Sequence, residues 1–210
     1  MNELDKALAD IGAIRQQMAA GTLFRGLGPA VMAITGCLAL ATAALQASFG
    51  GVPGKELTQD PAGLLAVWVA LAVVCAGLIG FEMRARTFRH HQGLADIMIV
   101  NAVDSFLPAG FAGAALGLVI VLFAPDTAWM LPGLWQVLVG IGLFAAQRFL
   151  PRTVSIAAAW YLLAGVTVLI FASQSRTLSP WAMGIPFGIG QLLLAALLHQ
   201  AFGDENAETA

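Results

Sequence analysis

Long apolar runs alternate with short polar segments along this chain. Six runs stand out, and a helix that spans a membrane needs about 20 largely apolar residues. Several runs begin at a proline, which suits the first turn of a helix because its missing N–H would be unpaired there anyway. The pattern predicts an all-α polytopic bundle with six transmembrane helices. The predicted spans cover residues 29–49, 62–82, 104–124, 131–149, 153–172 and 180–201.

The first 25 residues follow a different pattern. Leu4, Ala7, Ile11, Ile14 and Met18 recur at steps of three and four, which is typical of one face of an amphipathic helix. We therefore expect three regions along the chain. They are an N-terminal amphipathic helix with its connector (1–25), a six-helix transmembrane domain (26–202) and a short acidic cytoplasmic tail (203–210).

Composition strengthens the membrane interpretation. Hydrophobic residues make up 59% of the chain and charged residues 10%, whereas a soluble domain carries roughly 25% charged residues. The chain therefore lacks enough polar side chains for a water-facing surface, and the lipid bilayer is its first expected partner. A formal net charge of −2 supplies no basic face, so we expect no nucleic-acid partner.

Lysine and arginine are distributed unevenly between the two ends of the predicted spans. Cytoplasmic loops carry an excess of these residues. The distribution predicts a multi-pass membrane protein with both termini in the cytoplasm. Eight positive residues fall on the predicted cytoplasmic side (Lys6, Arg15, Arg25, Arg84, Arg86, Arg89, Arg148 and Arg152), and Lys55 and Arg176 fall on the other.

The segment that follows the second span is unusually polar. Glu82 lies four residues before Arg86, the favourable order for an ion pair if the helix continues into the loop. Arg84, Arg86 and Arg89 maintain the topology in the simplest interpretation. Together with the Leu4, Ile11 and Met18 face, they also form a candidate surface for a cytoplasmic or membrane protein partner.

Asp104 falls within a predicted span, and an ionisable residue there is a functional candidate by default. It precedes Pro125 by about 21 residues, or roughly 31 Å of helix, so it lies near the cytoplasmic edge. Pro108 removes the helical hydrogen bond to the Asp104 carbonyl. We therefore expect a bend there, with residues 94–107 as an amphipathic lead-in. Asn101 and Asp104 are candidates for ligand binding or ion coupling; alternatively, they complete a polar helix face.

The sixth span contains Pro186 and Gln191, with Gln191 near mid-membrane. Transporters build binding sites from interrupted helices that carry polar groups at this depth, so Gln191 is a candidate ligand-binding residue. The alternative is close helix packing through small residues in a GxxxG pattern. Such faces also suggest self-association. The glycine pairs are Gly184 with Gly188 in span six and Gly113 with Gly117 in span three.

Two histidines raise a cofactor hypothesis. His91 and His199 are predicted on the same side of the membrane, where axial ligation of a haem is geometrically conceivable. A membrane haem usually needs histidines inside the bundle, and neither position is deep. Solvated histidines at the interface are therefore the preferred interpretation, and we expect no cofactor.

Three segments, FRGLGPA (24–30), LPGLWQ (131–136) and SPWAMGIPFGIGQ (179–191), resemble a family of uncharacterised six-helix bacterial inner-membrane proteins, some encoded beside winged-helix regulators. The resemblance implies the six-helix architecture and an accessory or regulatory role. It implies no catalytic or binding residues. The chain also has no nucleotide-binding glycine loop, nucleophile elbow or HExxH motif, so we do not expect an enzyme.

The leading functional hypothesis is a non-enzymatic accessory, regulatory or assembly subunit that presents a cytoplasmic surface to a partner. The alternative is a small transporter or ligand-binding membrane protein that uses span six and the Asn101 and Asp104 face. A membrane haem protein is the weaker alternative.

Overall fold

The fold is a bundle of long helices. The computed structural model describes Asp5, Ile11 and Ile14 and residues 26–49, 61–90 and 95–208. These residues contain helices and no strand, which confirms the all-α prediction. The α-helices are α1 (Pro29–Phe49), α2 (Pro61–His90), α3 (Ala95–Phe123), α4 (Leu131–Ala146), α5 (Val154–Ser175) and α6 (Pro180–Glu208); short 3-10 helices at Pro125–Met130 and Gln147–Phe149 flank α4.

Six of the described helical segments are long and apolar enough to cross a membrane, so the chain is a multi-pass membrane protein. Several helices extend beyond the predicted apolar runs. Helix α2 continues past residue 82 to His90, and α6 continues to Glu208. Hydropathy locates the part of a helix that lipid surrounds. Backbone hydrogen bonds and side-chain pairs stabilise further helical turns beyond that part.

Helix α3 is continuous across Pro108. It is one α-helix from Ala95 to Phe123, and Pro108 lies inside it. Within the described residues the predicted lead-in is thus the first part of α3, and the bend at Pro108 stays a prediction. Proline removes one helical hydrogen bond, but the turns on either side can maintain the helix.

The first and last helices, α1 and α6, pack closely along each other through small residues. A Cβ added to Gly184 would overlap the Cβ of Ala43, and one added to Gly188 would lie 2.5 Å from Leu40 Cγ. From the other side, a Cβ on Gly36 would lie 3.0 Å from the Gly188 carbonyl oxygen. The GxxxG face of α6 is thus occupied by α1 of the same chain, as expected for packing through small residues.

Helix α4 approaches both of its sequence neighbours at glycines. Gly133 of α4 and Gly165 of α5 face each other, because a Cβ on either would lie 2.7 Å from the carbonyl oxygen of the other. On its other side, Trp135 of α4 lies over Gly113 and Gly117 of α3 and donates its indole N–H to the Gly113 carbonyl at 2.9 Å. The second glycine pair is therefore also occupied within the chain, so self-association would need another face.

The most deeply buried core lies between α5 and α6, where Val154, Ala157, Tyr161 and Leu198 are fully buried. Helices α2 and α3 are peripheral: only 17% of the residues in an 18-residue apolar stretch of each are buried, against 50% in α6. Their outward phenylalanines are largely exposed, at 77% for Phe81, 75% for Phe111 and 80% for Phe123. In a bilayer these side chains contact lipid.

Candidate functional site

Helix α6 carries an interruption that a neighbouring helix repairs. Pro186 has no N–H, so the carbonyl four residues earlier, that of Ala182, loses its helical donor. Gln136 of α4 is fully buried and donates its Nε2–H to this carbonyl at 2.8 Å. A side chain from α4 thus satisfies the carbonyl that proline leaves free, where lipid offers no alternative donor.

Two aromatic residues of α5 also donate to the backbone of α6. Trp160 donates its indole N–H to the Pro186 carbonyl at 3.0 Å, and the Tyr161 hydroxyl donates to the Phe187 carbonyl at 3.4 Å. The Tyr161 ring lies against Gly190, where a Cβ would overlap it. We call this set the α6 seam: the side chains of Gln136, Trp160 and Tyr161 and the carbonyls of Ala182, Pro186 and Phe187.

Two amide oxygens beside α6 are buried without a hydrogen-bond donor in the described structure. They are Oε1 of Gln136, within the α6 seam, and Oε1 of Gln191. Gln191 follows Ala182 by about two and a half turns of α6, which places it on the opposite side of that helix, and its Cβ packs against Gly36 of α1. The two oxygens therefore face different sides of α6. Each can accept a hydrogen bond from a polar ligand, but they do not form one site.

Asn101 and Asp104 lie on α3 and do not join Gln191. Asp104 is exposed and Asn101 is half-buried. Ser105, beside them, donates its hydroxyl to the Asn101 carbonyl at 2.8 Å and accepts Nη2 of Arg148 at 3.4 Å. Helix α6 packs mainly on α1, α4 and α5. The two parts of the predicted ligand-binding face thus belong to separate regions of the bundle.

A second cluster lies at the end of the bundle where α1 and α5 begin and α2, α4 and α6 end, which we call the arginine end. Arg86 Nε donates to Glu82 Oε1 at 2.6 Å, the one-turn ion pair that the sequence predicts. The same Glu82 oxygen would lie 2.5 Å from a Cβ on Gly28, immediately before α1. A carboxylate in this position complements the positive end of the α1 dipole. We call Gly28, Glu82 and Arg86 the Gly28 clamp.

The remaining partner-surface residues are only partly described. Arg84 is exposed on α2. Ile11 is helical and 49% exposed. Leu4 and Met18 lie outside the described residues, as does the Arg89 side chain. The Gly28 clamp therefore marks where the connector after the N-terminal segment meets α2.

The structure describes one of the two histidines in the haem hypothesis. His199 is exposed near the arginine end of α6, and His91 lies outside the described residues. The described part of the chain has no group of three His, Cys, Asp or Glu side chains that would hold a metal ion.

Sequence reasoning missed Gln136, Trp160 and Tyr161 as partners of α6. One signal was present, because a proline inside a helix always leaves a carbonyl that needs a donor. Which helix supplies that donor depends on the order of helices around the bundle, and local patterns do not contain it.

Comparison of the chain with known protein families, curated proteins and solved structures finds no match. The resemblance of the three segments to a six-helix family therefore remains an expectation.

Proposed function

We propose that this protein is a non-enzymatic accessory or regulatory subunit of the bacterial inner membrane. In this proposal both termini are cytoplasmic, and the N-terminal segment together with the arginine end of α2 forms the surface that a protein partner contacts. The observation that carries the proposal is the Gly28 clamp. It joins the start of α1 to the Glu82–Arg86 pair on α2.

The clamp links two parts of the proposed surface mechanically. In this proposal a partner that displaces the N-terminal segment also displaces Gly28, which follows that segment in the chain. A Cβ at Gly28 would overlap the side chains of Glu82 and Arg86, which would have to move, so displacement there alters the Glu82–Arg86 pair. Arg84, exposed on α2 between these two residues in the chain, would carry the change to the partner.

Photocross-linking in intact membranes tests the proposal. A photoreactive amino acid in place of Arg84 should give a discrete protein adduct, whereas the same amino acid in place of Phe123, exposed at the opposite end of the bundle, should not. Gly28→Val should abolish the Arg84 adduct without preventing membrane insertion, because its side chain would collide with Glu82.

The matched control is Asp104→Asn, which alters a charge on exposed α3 surface away from the clamp and should leave the adduct unchanged. Deleting residues 2–20 should remove the adduct. If Asp104→Asn instead abolishes a measurable flux while the deletion has no effect, the accessory proposal is wrong.

Gln191 favours a second candidate, a small transporter or ligand-binding membrane protein. Its amide oxygen is buried without a donor near mid-membrane, on the helix that Pro186 interrupts. This candidate predicts that Gln191→Leu abolishes flux or binding while the protein remains folded. If the Gln191→Leu protein keeps its flux and its ligand binding, the transporter candidate is wrong.

A further inference from the structure

The turn between α4 and α5 presents two arginines on a rigid base. Phe149, Leu150 and Val154 are buried in the core. Arg148 and Arg152 are exposed on either side of these anchors. A turn held in this way keeps its exposed guanidinium groups in place before any ligand arrives, which reduces the entropy lost on binding.

The Arg148 side chain is itself oriented. Its guanidinium carbon lies 4.6 Å from the centroid of the Phe149 ring, and Nη2 donates to the Ser105 hydroxyl of α3 at 3.4 Å. A guanidinium has five N–H donors, so most of its donors remain free. Within the described part of the chain, neither Arg148 nor Arg152 forms an ion pair, in contrast to Arg86.

The depth of Arg148 matches that of a lipid phosphate. The span from Pro125 to Phe149 contains 25 residues, of which 16 form α4 and the others form the two flanking 3-10 helices; at about 1.5 Å and about 2.0 Å per residue they extend at most about 42 Å. The hydrocarbon core of a bilayer is about 30 Å thick. The arginine end of this span therefore reaches the headgroup layer, where a guanidinium can form two parallel hydrogen bonds with phosphate oxygens.

Each arginine lies in the turn beside exposed apolar side chains of α4 or α5. On α4, Ile141 is 50% and Phe144 is 40% exposed, about two turns and one turn before Arg148 respectively. On α5, Ile156 is 53% exposed and lies one turn after Arg152. These stripes offer contact for acyl chains below the two positive charges. The arginines are four positions apart, which is at most about 14 Å of chain, so their long side chains can approach one headgroup.

We infer that the α4–α5 turn is a binding site for an anionic phospholipid, with Arg148 and Arg152 holding the headgroup phosphate and the apolar stripes of α4 and α5 contacting the acyl chains. The inference is independent of the proposed partner surface, which uses α1 and α2. Anionic lipid is the occupant because two unpaired cations complement its net charge, whereas a zwitterionic headgroup also presents a cation that they repel.

The experiment measures lipid binding to the purified full-length protein by native mass spectrometry in an uncharged detergent. Phosphatidylglycerol and phosphatidylcholine with identical acyl chains are titrated separately. The unaltered protein should prefer phosphatidylglycerol, and Arg148→Gln with Arg152→Gln should weaken its binding by about tenfold or more, since a charge-assisted hydrogen bond contributes on that scale. Arg176→Gln, at the opposite end of α5, should keep the preference.

Inorganic phosphate distinguishes a lipid site from a general anion site. It should not displace phosphatidylglycerol, because it cannot contact the apolar stripes; displacement at equal concentration would overturn the lipid assignment. Unchanged preference in the double glutamine variant would overturn the site itself. If that variant does not fold, a salt titration of the unaltered protein decides, because salt-independent binding of phosphatidylglycerol would exclude the arginine contacts.

Discussion

Replacing Gln136 by methionine tests whether the α6 seam repairs the interruption at Pro186. Methionine keeps the length of the side chain but removes the amide that donates to the Ala182 carbonyl at 2.8 Å. A buried acceptor left without its donor costs about 1–3 kcal/mol, while side-chain hydrogen bonds measured within membranes average about 0.6 and reach about 1.7 kcal/mol. We therefore expect Gln136→Met to lower the free energy of unfolding by about 1–2 kcal/mol.

The physical cause is tested by repeating the change in a Pro186→Ala background. Alanine restores an N–H at position 186, which can donate to the Ala182 carbonyl within α6. The Ala182 carbonyl then no longer needs Gln136 as a donor. Gln136→Met also removes the buried amide oxygen that has no donor. We expect the cost of Gln136→Met to fall below about 0.5 kcal/mol in this background, so the two positions are coupled by about 1 kcal/mol.

The assay is reversible unfolding in mixed micelles, with the four proteins of the cycle compared under identical conditions. Gln46→Met is the matched control. Gln46 is a buried glutamine that donates at 3.4 Å to the Leu64 carbonyl, which the hydrogen-bond ladder of α2 already pairs. The free-energy cost of Gln46→Met should therefore be the same with proline or alanine at position 186. An equal cost of Gln136→Met with and without Pro186 would refute the reasoning.

Two further predictions concern packing and topology. Gly184→Ala should destabilise the bundle by about 1–3 kcal/mol, because its Cβ would overlap the Cβ of Ala43, which no rotamer change can move. Gly80→Ala is the control: nothing lies within 4 Å of its added Cβ, so it should leave stability unchanged or raise it by up to about 1 kcal/mol. Thermal unfolding of the two variants measures both changes. Equal changes in stability would contradict the α1–α6 contact. Activity-reporter fusions should place Arg86 and Ala210 in the cytoplasm and Asp126 in the periplasm; a cytoplasmic signal at Asp126 would contradict the six-span topology.

The candidate site was only partly predictable. The Glu82–Arg86 pair was predicted from its four-residue spacing, because neighbouring turns of one helix determine that contact. Its packing against Gly28 was not predicted, since that contact joins α2 to the start of α1. Asn101, Asp104 and Gln191 appeared as parts of one ligand-binding hypothesis, and the bundle separates them because α3 packs mainly on α4 whereas α6 packs mainly on α1.

The sequence by itself determined that six apolar helices exist and approximately where each lies. A helix satisfies its backbone hydrogen bonds internally and its partition into lipid depends on its own residues, so this information is local. Only the tertiary structure decided that α1 packs along α6, that Trp135 covers the glycines of α3, and that Gln136 donates to α6. Glycine leaves room for a neighbouring helix and proline leaves a carbonyl without a donor, but neither residue specifies which helix packs there. Contacts between side chains distant in sequence make that choice, because all six helices must bury their small and polar groups at the same time.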